Sequence, residues 1–157
     1  GGGGCVDVAD GARLETVGCH FEECHAESGG AVAVHGVGSS VSLRNSTVSH
    51  CSAAGLGGGV YATAGTRVEV EHSVFSECEA SSGGGVAADG GAAVALVHCT
   101  FAACVAQASV LATGGGVLSV GAGTAVSLVA CSFLGCLTSL PASWLGGGSG
   151  LAVDIGG

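Results

Sequence analysis

Thiols, imidazoles and carboxylates recur at matched positions along this 157-residue chain. Cys24, Cys51, Cys78, Cys104 and Cys136 each close a short segment of related sequence. Cys19, Cys99 and Cys131 stand five positions ahead of three of them, and Cys5 is the ninth thiol. Glu23, His50 and Glu77 come immediately before closing cysteines. On one outward column, an imidazole between two carboxylates could hold a proton or a weakly bound metal ion. A solvated acidic ridge is the simpler reading, so no metal and no cofactor is expected. His72 and His98 occupy equivalent places in neighbouring segments, but two imidazoles fall short of a metal's usual three or four ligands. His20 and His25 lie either side of Cys24, in a spacing that is not a zinc finger's.

The rest of the composition argues against catalysis. Eliminative cleavage of an acidic polysaccharide needs a base to take a proton, and hydrolysis needs clustered carboxylates. The chain has no Lys, and its Asp residues, Asp7, Asp10, Asp89 and Asp154, are scattered. Glu15 and Glu69 share a column but have Ser42 between them. No catalytic residue is assigned, and the chain is read as a non-enzyme. A net charge of −9, with only Arg13, Arg44 and Arg67 as cations, excludes nucleic acid and anionic membrane surfaces as partners.

What must position these groups is a repeat. Gly pairs recur at 3–4, 29–30, 58–59, 84–85 and 115–116, and a sixth, 147–148, opens an unfinished copy. Each is followed by alternating apolar runs and then by CHFEEC (19–24), STVSHC (46–51), SVFSEC (73–78), CTFAAC (99–104) or CSFLGC (131–136). Length varies mainly after the closing Cys, so insertions emerge on one side of a stacked coil. RLETV, SVSLR, RVEVE, AVALV and AVSLV alternate with period two, which is a strand pattern. A second strand follows each Gly pair, and a third carries Phe21, Val48, Phe75, Phe101 and Phe133. Three strands and three corners per repeat predict an all-β, right-handed parallel β-helix of about five coils. The coils run over 3–28, 29–57, 58–83, 84–114 and 115–146, with a partial coil at 147–157, all in one domain (1–157). Coils stack about 4.8 Å apart, so like residues form columns. Thirty-two Gly would suggest disorder in an aperiodic chain, but here they are in register. The uncharged stretch Ala102–Leu137 has the hydropathy of a membrane span, yet its glycines and period-two pattern favour strands.

In-register cysteines have nearly parallel Cβ vectors, which suits buried free thiols better than disulfides. If bridges form, Cys19–Cys24, Cys99–Cys104 and Cys131–Cys136 are the expected ones. Asn45-Ser46-Thr47 is a glycosylation sequon, with Asn45 as the acceptor.

GGAV (29–32), GGV (58–60, 84–86, 115–117) and FEEC, FSEC, FAAC and FLGC together resemble the GGA[ILV]/FxxN repeats of the chlamydial polymorphic outer-membrane proteins. Cys stands where those repeats carry Asn. The resemblance spans essentially the whole chain and implies a right-handed β-helix in a surface-exposed, adhesin-like role. No translocator barrel is visible in this sequence. The chain is read as an ordered part of a longer one.

Eleven of twelve acids and all three Arg lie within residues 1–89, and residues 99–153 carry no charge. Positions that hold Glu22, Arg44 and Glu71 early become Ala102, Leu134, Val97 and Val129 late. Apolar outward surface of this kind marks an interaction face. Its expected residues are Val97, Val129, Leu134, Leu140, Trp144 and Leu145. The reading is an extracytoplasmic structural or adhesin-like module, docked through its C-terminal coils on a protein partner or on more of its own chain. The alternatives are a polysaccharide-binding or polysaccharide-cleaving β-helix, and an accessory scaffold subunit on the lumenal side of a membrane assembly.

Overall fold

A computed structural model describes residues 2–63, 65–107, 114–138 and 151–153. Among them there are only strands, turns and bends, and no helix is long and apolar enough to cross a membrane. The strands stack in four parallel sheets. The first contains β1 (Val6–Val8), β5 (Val32–Val34), β9 (Val60–Ala62), β13 (Val86–Ala88), β17 (Val117–Ser119) and β21 (Leu151–Val153). The second contains β2 (Arg13–Val17), β6 (Ser40–Arg44), β10 (Arg67–Glu71), β14 (Ala93–Val97) and β18 (Ala125–Val129). The third contains β3 (His20–Glu22), β7 (Thr47–Ser49), β11 (Val74–Ser76), β15 (Thr100–Ala102) and β19 (Ser132–Leu134). The fourth contains two-residue strands: β4 (His25–Ala26), β8 (Ser52–Ala53), β12 (Glu79–Ala80), β16 (Val105–Ala106) and β20 (Leu137–Thr138). This fourth sheet corrects the three-strand expectation. Two residues are too few to show a period, so sequence alone reads them as a corner.

The core fills the tube. Val41, Leu43, Val68, Val70, Val94 and Leu96 point inward from the second sheet and are almost wholly buried. Phe75 and Phe101 stack 4.8 Å apart, and Phe101 and Phe133 stack 5.0 Å apart. In the first and last rungs the equivalent inward residues, Leu14, Val126, Leu128 and Phe133, are only partly buried, because among the described residues each is stacked on one side only.

Two corners share one local rule. Between the second and third sheets stand Gly18, Asn45, His72, His98 and Ala130, all at φ between 48° and 65°. Between the third and fourth stand Glu23, His50, Glu77, Ala103 and Gly135, all at φ between 51° and 62°. One left-handed residue turns the chain, and the next residue, a Cys or Ser, enters the core. An L-residue with a side chain pays about 1–2 kcal/mol for this conformation. Gly would relieve that cost while adding about 0.5–1 kcal/mol of entropy to the unfolded chain. Ala103→Gly should therefore raise stability by about 0.5–1 kcal/mol, as read by the denaturant midpoint at unchanged slope. A lower midpoint would show that the Ala103 side chain has a packing role.

The glycine register also differs from the sequence alignment. Gly4, Gly30, Gly58, Gly84 and Gly115 form one column: Gly30 N–H donates to Gly57, Gly58 N–H to Gly83, and Gly84 N–H to Gly114. The pairs at 58–59, 84–85 and 115–116 thus lead with the residue that 29–30 places second. A second column follows, made of Cys5, Ala31, Gly59, Gly85 and Gly116, as fixed by the Val6, Val32, Val60, Val86 and Val117 pairings. A Cβ on Gly59 would sit 2.8 Å from the Phe75 ring, and one on Gly85 would sit 2.6 Å from the Phe101 ring. The Phe column and this Gly column therefore meet across the tube. In the second rung the pair is Ala31 with Val48, a smaller aliphatic against a slightly larger neighbour.

Candidate functional site

One interior column and two surfaces carry groups that could do chemistry. The interior column is sulfur. The corner rule places Cys24, Cys51, Cys78, Cys104 and Cys136 inside, all at or below 4% exposure. Each free thiol of the column donates back to a carbonyl of the preceding rung: Cys51 to Phe21 at 3.6 Å, Cys78 to Val48 at 3.4 Å, Cys104 to Phe75 at 3.6 Å and Cys136 to Phe101 at 3.4 Å. Neighbouring thiols of the column also shift one another's titration. Hydrogen bonding from Cys78 holds Cys51 down, to about 7, against its burial. Bonding to the Cys104 sulfur pushes Cys78 and Cys136 up. The other inward column reads Cys19, Ser46, Ser73, Cys99 and Cys131. Ser46 and Ser73 accept from the backbone of the column: Cys19 N–H donates to Ser46 Oγ, and Ser46 N–H donates to Ser73 Oγ. Burial raises Cys99 to about 11.

Cys24 is not a free thiol. It is bonded to Cys5, with Cα atoms 5.6 Å apart. Cys19, Cys99, Cys104, Cys131 and Cys136 are free, so none of the three expected pairs forms. The reason is geometric: residues five apart leave two different corners along the tube wall, whereas Cys5 faces Cys24 across the interior. The signal was present in the alignment, since Cys5 holds the slot that Gly59 and Gly85 hold opposite the Phe column.

The first surface is a groove lined by His25, His50, Ser52, Glu77, Glu79 and Val105. His50 Nε2 lies 3.3 Å from Glu77 Oε2, and His25 Nδ1 lies 2.7 Å from Ser52 Oγ. Glu23 is on the same corner column as His50, one rung away, but the contact is with Glu77. His72 and His98 stack with ring centroids 4.9 Å apart. Among the described residues, no group of three or more His, Cys, Asp or Glu is arranged to hold a metal ion. On the outer face of the second sheet, Arg13 pairs with Glu15 and Arg67 pairs with Glu69 at 2.8 Å. Ser40 and Ser42 lie between them in register, so a shallow notch opens there. Arg44 reaches Glu71 at 3.3 Å. All three guanidinium groups are thus matched by carboxylates. Asn45 is exposed on its corner, with Ser46 buried and Thr47 half-buried behind it.

The second surface is apolar. Three outward columns run Val17, Arg44, Glu71, Val97, Val129; then Glu22, Ser49, Ser76, Ala102, Leu134; then His25, Ser52, Glu79, Val105, Leu137. All three end on an exposed aliphatic side chain: Val129 at 51%, Leu134 at 60% and Leu137 at 58%. Val97 is half-buried. Leu140, Trp144 and Leu145 lie outside the described residues. Sequence reasoning missed Leu137, although its place after Cys136 matches that of His25 after Cys24.

The family model for the right-handed β-helix region matches residues 1–136. The chain belongs to the right-handed β-helix family. No curated protein and no solved structure matches it. Membership fixes the hand of this β-helix, and it agrees with the right-handed crossover that parallel strands favour.

Proposed function

We propose that this β-helix is a non-enzymatic structural or adhesin-like interaction module whose uncharged C-terminal rungs dock a protein partner. One observation carries the reading: three neighbouring outward columns, polar or charged over the second and third rungs, all finish on exposed Val129, Leu134 and Leu137. Aliphatic side chains gathered on one rung gain most by leaving water together. The resemblance to polymorphic outer-membrane-protein repeats supports a surface-exposed setting. The Cys5–Cys24 bond supports an oxidising, extracytoplasmic compartment.

Size-exclusion chromatography with light scattering on native material tests this. The expected result is elution well above the 14.6 kDa of the chain, with a second protein at fixed stoichiometry. Asp at positions 129, 134 and 137 together should weaken the complex by about 30-fold or more, the loss of roughly 2 kcal/mol at an interface anchor. The same variant should unfold within about 1–2 kcal/mol of the parent, because surface changes cost little individually. Monomers for both proteins would remove the docking role. A second reading, polysaccharide binding, draws on the groove, where His25, His50, Ser52, Glu77 and Glu79 offer donors and acceptors along the helix axis. Titration with neutral and acidic oligosaccharides separates the two, since His50→Ala would weaken only the sugar. Copurification with integral membrane proteins would instead favour the scaffold-subunit alternative.

A further inference from the structure

The interior of the tube holds one set of groups that neither proposed role uses: the free thiols Cys51, Cys78, Cys104 and Cys136, stacked in successive rungs. The first three are fully buried and Cys136 is 4% exposed. The backbone fixes their register. Glu79 N–H donates to the Cys51 carbonyl at 2.9 Å, Val105 N–H to Cys78 at 2.8 Å and Leu137 N–H to Cys104 at 2.9 Å. The side chains repeat as well. Cys51, Cys78 and Cys104 each point Sγ at two carbonyl oxygens, one belonging to the residue two positions earlier and one to the preceding rung. Equal partners in every rung mean one shared rotamer, so the sulfurs follow one another at the rung spacing. The Phe75, Phe101 and Phe133 rings, three residues ahead of Cys78, Cys104 and Cys136, show that spacing as 4.8 Å and 5.0 Å.

We propose that this column is a binding site for a soft monovalent cation, Cu(I), held two-coordinate between successive sulfurs, with the gap between Cys78 and Cys104 at its centre. Thiolate sulfur selects Cu(I) over hard ions. A metal–thiolate bond is about 2.3 Å long, so two of them end to end span about 4.6 Å, close to the distance between rungs. Structural zinc instead needs four ligands around one point. A straight column offers two sulfurs to each gap, and among the described residues no three His, Cys, Asp or Glu converge on an ion.

The ion takes the place of a proton. Cys104 is held low by its neighbours Cys136 and Cys78, while Cys104 in turn pushes Cys78 up, so protons are shared unequally along the column. On binding, one Sγ–H bond breaks, Cu(I) bonds to that sulfur and to its neighbour, and the proton leaves to solvent. The charge of the column is unchanged, and nothing is oxidised or reduced. This matters because an uncompensated charge in an apolar core is costly. The carbonyl oxygens facing each sulfur disfavour a bare thiolate and favour one that carries a proton or a cation. The other inward column supplies the contrast. There Ser46 and Ser73 separate Cys19 from Cys99, and only Cys99 and Cys131 are neighbours. Ser46 and Ser73 are 2% and 1% exposed, so Ser is accepted at an inward corner.

The test uses the whole chain with Cys99→Ser, which leaves neighbouring free thiols in one column only. Because the sulfurs are buried, the chain is refolded from guanidinium with one equivalent of Cu(I) under exclusion of oxygen. The expected product is a folded chain carrying Cu(I), whose X-ray absorption spectrum shows two sulfur ligands and no nitrogen or oxygen. Adding Cys78→Ser and Cys104→Ser leaves Cys51 and Cys136 with no neighbouring free thiol. Competition with bicinchoninate should then read a Cu(I) affinity at least about tenfold weaker. Cys19→Ser, which removes an isolated thiol, should leave the affinity unchanged. A chain that refolds without copper, a third sulfur or an imidazole or carboxylate ligand in the spectrum, or an affinity that survives the loss of Cys78 and Cys104 would each overturn the proposal. If the chain lacking Cys78 and Cys104 fails to fold, the ligand set of the Cys99→Ser chain decides: two sulfurs support the column and any other shell rejects it.

Discussion

Gly84→Ala should abolish the fold. A Cβ at this position would lie 2.5 Å from the Gly115 carbonyl oxygen, 2.5 Å from the Val105 carbonyl oxygen and 2.7 Å from the Val105 nitrogen. All three are backbone atoms of packed strands and corners, so no side chain can swing aside. Relief would require the fourth sheet to move away from the corner that enters the first, which breaks the Gly84 N–H bond to Gly114 and the Val105 N–H bond to Cys78. Overpacking that a side chain can absorb costs about 1–3 kcal/mol. This clash has no such outlet, and a loss of about 4 kcal/mol or more is expected, which falls in the exceptional range for a single substitution. Guanidinium unfolding followed by circular dichroism reads it. The informative contrast is Gly18→Asn. Nothing lies within 4 Å of a Cβ there, and Asn45 already holds the same left-handed corner one rung along. That change should stay within about 1 kcal/mol, since Asn tolerates this conformation. A stable Gly84→Ala protein would show that the corner has room the close approach denies.

Phe101→Ala is expected to cost about 3–5 kcal/mol, the usual loss for a large aromatic removed from a packed core. Phe101 is fully buried and sandwiched between Phe75 and Phe133 at 4.8 Å and 5.0 Å. Its removal empties the middle of a three-ring stack, so both flanking rings lose a face. The void cannot collapse easily, because the opposite wall at Gly85 is backbone without a side chain. The same argument predicts a rescue. At the next rung toward the N-terminus, Gly59→Ala alone meets the Gly85 carbonyl oxygen at 2.7 Å and the Phe75 ring at 2.8 Å, of which a smaller residue at 75 relieves only the second, and Phe75→Val alone leaves a cavity. Combined, they recreate the Ala31–Val48 arrangement of the second rung. The double variant should be more stable than the sum of the singles by about 1 kcal/mol or more, as measured in a double-mutant cycle. Strict additivity would show that the two columns do not pack as one unit.

How much of this was legible beforehand differs by feature. The period-two runs, the Phe column and the Cys column name an all-β solenoid because stacking repeats the same side-chain environment every coil, and a sequence records that directly. The exposed end of the outward columns was also half-visible. Val129 and Leu134 could be read from the loss of charge, and they are exposed. Val97 could not be graded, because its half-burial depends on the rungs above and below it. The sequence offers the His50 column as a set of three, but the structure brings only His50 and Glu77 into contact. Side-chain rotamers, not spacing, choose between two carboxylates one rung away on either side.

The sequence by itself determined the coil, its period and the inward or outward sense of most residues, because these follow from local alternation and from repetition. Tertiary structure alone decided what crosses the tube. The pairing of the Gly column with the Phe column and the Cys5–Cys24 bond join residues 16 and 19 positions apart on different walls, and the fourth sheet and the glycine register join residues 26 to 32 positions apart in adjacent rungs. Such partners are set by where each corner turns, and a corner is one left-handed residue that Glu, His, Asn, Ala and Gly all occupy here. When five residue types satisfy one backbone angle, composition does not announce the turn. The distance across the folded tube is then what fixes which side chains meet.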